Sequence, residues 1–217
     1  MVEKCKRRCA AGLSPIGRPQ AGRANEGPPA PCRSSGEDMT PRLVHCAPVT
    51  CLNVTGMGEP GGPEHVSAIR ALYTVASAMG GPAGPLEGRW WVEDSSLPPL
   101  ETPRDLWRWH LLLPLPGVPE PGTAEAARER VRASGAAVDR VQVVTFTEGE
   151  CVELLHEGPF SEEKASLEVM EAYMAEHGLT RTGLHHEIYL TDPTDPEPRT
   201  ILRQPVTRPA GELPREG

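Results

Sequence analysis

Aromatic residues are scarce in this chain, with two Phe, three Tyr and four Trp among 217 residues. So few large rings cannot fill a core by themselves, and where they are placed is informative. Long apolar runs are also lacking. The best candidate, residues 111–115, is broken by Pro114 and followed by Pro116, far short of the roughly 18 residues that a membrane-spanning helix needs. Positive charge is in deficit: 22 Lys and Arg face 30 Asp and Glu, for a net charge of -8, which argues against a nucleic-acid-binding surface. The six cysteines include no C-x-x-C pair, so neither a zinc ribbon nor a disulfide framework is expected. Cys46, Cys51 and Cys151 fall in or beside strand-like runs, where a free thiol behaves as a small hydrophobe. No apolar stretch follows the basic N-terminus, so no secretory signal is read and the cytoplasm is the expected location.

Familiar catalytic motifs are missing as well. The chain has no G-x-S-x-G, no G-x-x-x-x-G-K-[ST] and no H-E-x-x-H, which removes the usual serine-hydrolase, P-loop and zincin readings. Residues 56–61 fit G-x-G-x-x-G literally. However, Pro60 lacks an N–H for a pyrophosphate, Gly62-Pro63 lengthens the turn, and no alternating βα units follow. No cofactor is expected.

Composition divides the chain. Residues 1–38 hold seven basic and four acidic residues, five prolines and no aromatic ring, and read as a disordered leader or tail. Met39 is a candidate true start. Residues 39–208 are expected to fold, and residues 209–217 to form a second disordered tail. Within the folded part, strands are expected over 49–54, 86–93, 107–115, 140–146, 151–157, 185–190 and 200–206. Helices are expected over 64–79, 123–134 and 161–177, with Thr123 and Ser161 as caps. The first should bury Val66, Ile69, Tyr73 and Ala76; the third should bury Leu167, Met170, Met174 and His177. Residues 140–157 suggest a hairpin turning at Glu148-Gly149. The order strand, helix, strand, strand occurs twice. It implies an α+β fold, pseudo-twofold, with an antiparallel sheet and a central ligand groove between the halves.

The four tryptophans lie in two short segments, Trp90-Trp91 and Trp107-x-Trp109, as an aromatic wall suited to planar or cationic molecules. Trp90 and Trp91 must point to opposite faces of their strand, one into a core and the other toward a ligand. In residues 185–190, His185, Glu187 and Tyr189 share one face, expected to be open; His186, Ile188 and Leu190 share the other, expected to lie under a helix. A carboxylate on an aromatic wall can accept a proton from water or bind a cation. Glu157 and Phe160, just before the third helix, add a carboxylate and a ring. A metal at His185 and Glu187 lacks an identifiable third ligand in the sequence, so none is expected.

Taken together, these segments resemble the GyrI-like small-molecule-binding superfamily in its stand-alone form. The resemblance rests on Pro85-Leu-Glu-Gly-Arg-Trp-Trp91, Trp107-Arg-Trp-His-Leu-Leu-Leu113, Leu154-Leu-His-Glu-Gly-Pro-Phe160 with Glu162-Glu163, Glu176-His-Gly-Leu179, His185-His-Glu-Ile-Tyr-Leu190 with Asp192-Pro193, and Thr200-Ile-Leu-Arg-Gln-Pro205. It spans residues 45–206. It implies a glutamate at position 187 facing an aromatic pocket, and a small aromatic or cationic ligand as partner. Family members include drug-sensing halves of transcription regulators, a gyrase inhibitor, and stand-alone hydrolases of cyclopropane-bearing alkylating compounds. By that resemblance Glu187 activates a water, Tyr189 donates to the substrate carbonyl, and Trp90 or Trp91 stacks on the substrate with Trp107 and Trp109. The alternative is a non-catalytic ligand sensor or a protein-interaction module. Arg89, His110 and Glu157 depart from the family pattern, where apolar or small residues are expected.

Overall fold

A computed structural model of the protein describes residues 40–93, 101–192 and 194–208. The expected leader with Met39 and the C-terminal tail lie outside these residues. The chain runs β1 (Arg42–Cys46), β2 (Val49–Met57), α1 (Pro63–Ala78), β3 (Glu87–Trp91), β4 (Arg108–Pro114), α2 (Thr123–Val131), β5 (Gln142–Phe146), β6 (Gly149–Glu157), α3 (Glu163–Glu176), β7 (Thr180–Arg181), β8 (His185–Tyr189) and β9 (Arg199–Thr207). All described pairings are antiparallel, in the order β1-β6-β9-β8-β3-β4-β2-β5, with short β7 beside β9. The fold is α+β, and β3 and β8 meet at its centre.

The expected hairpin between β5 and β6 does not form. β5 pairs with β2, and β6 pairs with β1. Each half lends the strand before it to the other half, so the turn-like residues Thr147-Glu148 carry a crossing instead. Glu148 is drawn inward by His186 and Arg203, which a solvent-facing turn would not allow. Only Ala47 and Pro48 separate β1 from β2, so Cys46 and Val49 lie within about 11 Å of each other. Because β1 is one edge of the sheet and β2 lies next to the other, the sheet must curl until its edges approach. Phe146 on edge strand β5 accordingly reaches His186 on central β8, with ring centroids 6.3 Å apart.

The curl gives the sheet an inner face and a helix-covered face. On the helix side, Leu52, Val54, Trp109, Leu111 and Leu113 pack under α1, and Val152, Leu154, Leu202 and Val206 pack under α3 with Met170 and Met174. Burying each such side chain contributes about 1.5–3 kcal/mol. Gly56 is required here, since a Cβ would lie 2.2 Å from the Trp109 ring. Two helix faces differ from expectation. α1 buries His65, Ala68, Ala71, Leu72, Val75 and Ala76 and leaves Val66 and Tyr73 exposed, because its small residues bring it close to the sheet. α3 leaves His177 outside, stacked on Tyr173, and brings Glu163 in. Neither Thr123 nor Ser161 caps a helix: α2 is preceded by left-handed Gly122, and a 3-10 turn over Phe160–Glu162 leads into α3.

Candidate functional site

Strand register decides which side chains meet between α1 and α3. Glu187 lies opposite Gly88 on β3 and Leu202 on β9, and Trp90 lies opposite His185 and Trp109. His185, Glu187, Tyr189 and Trp90 therefore share the helix side of the sheet, at the seam between its two halves. The sequence expectation had these faces reversed. His186 and Ile188 point into the inner face of the curl, and His186 is fully buried among charges.

At the seam a short chain of hydrogen bonds fixes the carboxylate. Trp90 Nε1 donates to the Tyr189 hydroxyl at 3.2 Å, and that hydroxyl donates to Glu187 Oε2 at 2.8 Å. Gly88 is what lets them meet: a Cβ there would lie 2.6 Å from the Tyr189 oxygen and 2.7 Å from Trp90 Nε1. The other oxygen of Glu187 faces His185 Nε2 at 3.6 Å, and Glu163 Oε1, from the first turn of α3, faces the same nitrogen at 3.7 Å. Both distances exceed a hydrogen bond, and Glu163 Oε1 and His185 Nε2 are buried without a partner.

Electrostatics follow from burial beside like charges. Burial opposes a charged His185 ring, but Glu163 and Glu187 outweigh it and bring its pKa up to about 9. Burial raises the Glu163 carboxyl, with His185 opposing. Burial, then Glu187, pushes the Tyr189 phenol well above its usual value. Removing a charge from water favours the neutral form, and a close opposite charge restores the ionised one.

A ring ladder forms one wall. Trp109 meets His65 edge-on at 5.5 Å, His65 stacks on Trp90 at 5.7 Å, and Trp90 meets Trp107 edge-on at 5.9 Å. Trp107 is fixed by donating to the Thr102 carbonyl and lies under the Arg104 guanidinium. Phe160 meets Tyr189 edge-on from the α3 side. Beside it, Arg104, Phe160, Ser161, Glu163 and Lys164 line a cavity of about 190 Å³. A larger depression of about 530 Å³ around Val118, Glu125 and Val143 includes none of these residues.

The structure thus brings together Trp90, Trp107, Phe160, His185, Glu187 and Tyr189. It places three other sequence candidates elsewhere. Trp109 is a core residue with no exposed surface. Trp91 lies on the opposite face, stacked on His110 at 4.8 Å. Glu157 pairs with Arg199 at 3.1 Å at the exposed end of β6.

Sequence reasoning missed Glu163, Gly88 and His65. Glu163 reads as an ordinary acidic helix start. His65 occupies a core position of α1; it accepts from the Gly61 N–H through Nδ1, burial lowers its pKa, and Nε2 is left buried and unpartnered. A histidine on an apolar stripe was the available signal.

Comparisons with known proteins agree with this architecture. Residues 122–203 match the model of the GyrI-like small molecule binding domain. A hydrolase from Listeria innocua is similar at 32% identity, with 80% of this chain and 94% of that one covered, and a TM-score of 0.69. An uncharacterized conserved protein from Listeria innocua is similar at 34% identity, with 78% and 93% covered and a TM-score of 0.71. The EcmrR C-terminal domain shares the fold alone, at 10% identity and a TM-score of 0.51. No curated protein matches the sequence. Among the described residues, no helix is long and apolar enough to cross a membrane.

Proposed function

The chain belongs to the GyrI-like small-molecule-binding family, and from that premise we propose that it binds a planar, apolar or cationic molecule at the seam between α1 and α3 and hydrolyses a strained electrophile there. The observation that carries the reading is Glu187, buried beside Trp90 with one oxygen held by Tyr189 and the other directed toward His185 and Glu163. A carboxylate so fixed is preorganised to take a proton from water at no cost in orientation. The hydrolase name of the Listeria relative at 32% identity supports an enzymatic use of the site.

The substrate class we favour is a cyclopropane fused to a dienone, whose flat ring system suits the Trp90–Trp107 wall. Water, deprotonated by Glu187, adds to the cyclopropane carbon. The strained C–C bond breaks, its electron pair becomes a phenolate, and that oxygen takes up a proton. Tyr189 is the nearest hydroxyl for that purpose. Its proton is committed to Glu187, so donation to substrate requires it to leave the carboxylate, and its standing role is to position the base. The cytoplasm, where such compounds would reach DNA, is the location in which this activity protects a cell.

Incubation with a spirocyclopropyl-dienone alkylator, followed by mass spectrometry, tests the reading. A water-addition product over many turnovers, lost in Glu187→Gln, is expected. Saturable quenching of tryptophan fluorescence with no product would leave a ligand sensor instead. Neither signal would favour the protein-interaction module.

A further inference from the structure

Among the described residues, two groupings bring three potential metal donors within 4.8 Å of one another: Cys46–Glu148–Cys151, and Glu163–His185–Glu187. The first is set against a cation already in place, since the Arg203 guanidinium bonds Glu148 at 3.0 Å and Glu153 at 2.7 Å. Among the described residues, no guanidinium or ammonium is seen to bond the second. We infer that Glu163, His185 and Glu187 are the three protein ligands of a divalent transition-metal ion of zinc type at the base of the seam.

Three observations carry this. The donor separations are wrong for direct bonding and close to those around a small ion. Donors at about 2.1 Å from a tetrahedral metal are about 3.4 Å apart; both carboxylates stand near that distance from His185 Nε2, at 3.6 and 3.7 Å, and all three donors lie within 4.8 Å of one another. Next, Glu163 Oε1 and His185 Nε2 are buried without a hydrogen bond, facing each other only at ion-pair distance, and Glu163 is only 9% exposed. Buried polar atoms are paired in the great majority of cases, and two that converge on one point are best satisfied by a common partner. Finally, the outer support that metal ligands need is present, because Tyr189 holds the far oxygen of Glu187 and leaves the near one for the ion. One imidazole and two carboxylates make three protein ligands and leave a fourth position for water, the ligand count of catalytic zinc sites.

The inference rests on the hydrolase reading for the location of the site alone; with its near oxygen on the ion, Glu187 would hold the metal in place of acting as a free base. Glu187→Gln abolishes turnover under either account, so that variant cannot separate them; removal of metal can. Full-length protein is stripped with a chelator, titrated with Co(II), whose visible bands report its coordination, and then challenged with Zn(II). One equivalent of four-coordinate Co(II), displaced by zinc, is expected. Affinity should fall on the order of 100-fold in Glu163→Gln and in His185→Gln, and about tenfold in Tyr189→Phe, which removes only the outer support. Glu157→Gln should bind as the parent does. The absence of a bound equivalent in the parent protein would overturn the inference, and His185 itself would then be the cation between the two carboxylates. Binding unchanged in Glu163→Gln and His185→Gln would overturn it equally. Turnover by chelated, metal-free protein would sink the metal and leave the hydrolase; stoichiometric metal with no product would do the reverse.

Discussion

His185 and His186 are adjacent in one strand, each lies between two glutamates, and they face opposite ways. His186 is fully buried and both its ring nitrogens are hydrogen-bonded, to Glu87 at 3.1 Å and to Glu148 at 3.0 Å, with Arg203 bridging Glu148 to Glu153; Arg89 Nε, 3.9 Å from Glu148, is buried beside them without a hydrogen bond. His185 has the same kinds of neighbour 3.6 and 3.7 Å away, and its Nε2 makes no hydrogen bond. Both clusters set an imidazole between carboxylates; arginines and hydrogen bonds close the inner one. A buried charge network in which each member is satisfied fixes the fold, whereas one held open is ready for a ligand. The largest expected effect breaks this contrast directly. His186→Leu leaves Glu87 without its buried partner and Glu148 with only Arg203 and Arg89, and should cost about 3–5 kcal/mol in urea unfolding. His185→Gln, at a partly exposed position, should stay within about 1 kcal/mol. Equal costs would mean that both clusters are structural.

Two glycines sharpen the comparison at the next level. Gly56 and Gly88 each leave space that a ring system fills, Trp109 in the core and the Trp90–Tyr189 pair at the seam. Gly56→Ala and Gly88→Ala should each destabilise by about 1–3 kcal/mol through overpacking. Only Gly88→Ala should also weaken ligand binding, since it separates Tyr189 from Trp90 and turns Glu187. Tryptophan quenching by a planar cation, read beside thermal melts of both variants, distinguishes them.

Acid and alkali should both act on the inner cluster. Burial tends to raise Glu148, but His186 and Arg203 prevail and hold its pKa at about 2. A depressed carboxylate contributes stability above its ordinary 4.5 and loses it as pH falls through the folded value. His186 is raised because Glu148 and Glu87 overcome burial; its contribution is complete below 6.5 and declines as pH rises through the folded value. The cluster is therefore fully stabilising between pH 4.5 and 6.5. Urea midpoints should fall on both sides of that window, and both slopes should be shallower in His186→Leu.

Much of this was legible in the sequence, and the misses have physical causes. The doubled strand-helix-strand-strand order follows from period and turn residues, which are local. Pairing is not local: residues 140–157 carry the signature of a hairpin, yet the two-residue link crosses from one half to the other because Glu148 is needed inside. α1 misled for a related reason. Val66 and Tyr73 are more apolar than Ala68 and Ala71, but small residues bring the helix close to Trp109 while the larger pair stay exposed. At the site, alternation correctly grouped His185, Glu187 and Tyr189 on one face. It could not say which face the helices cover, nor that Glu163 would arrive from 22 residues earlier than His185.

The smallest expected effect is also the most specific. Trp90 and Trp91 are equivalent in composition and opposite in placement, one in the ring ladder at the seam and the other stacked on His110 across the sheet. Trp90→Phe removes the N–H that Tyr189 accepts and should weaken binding by about 1–2 kcal/mol, the range of one hydrogen bond with part of an aromatic contact. Trp91→Phe preserves a ring over His110 and should leave ligand quenching and turnover unchanged, as should Glu157→Gln, whose carboxylate serves only Arg199 at the exposed end of β6. A loss of binding in Trp91→Phe with binding retained in Trp90→Phe would move the ligand to the inner face of the curl. His186 would then have to be a ligand-reading group, and the distinction between closed and open clusters would fail at the residue on which it rests.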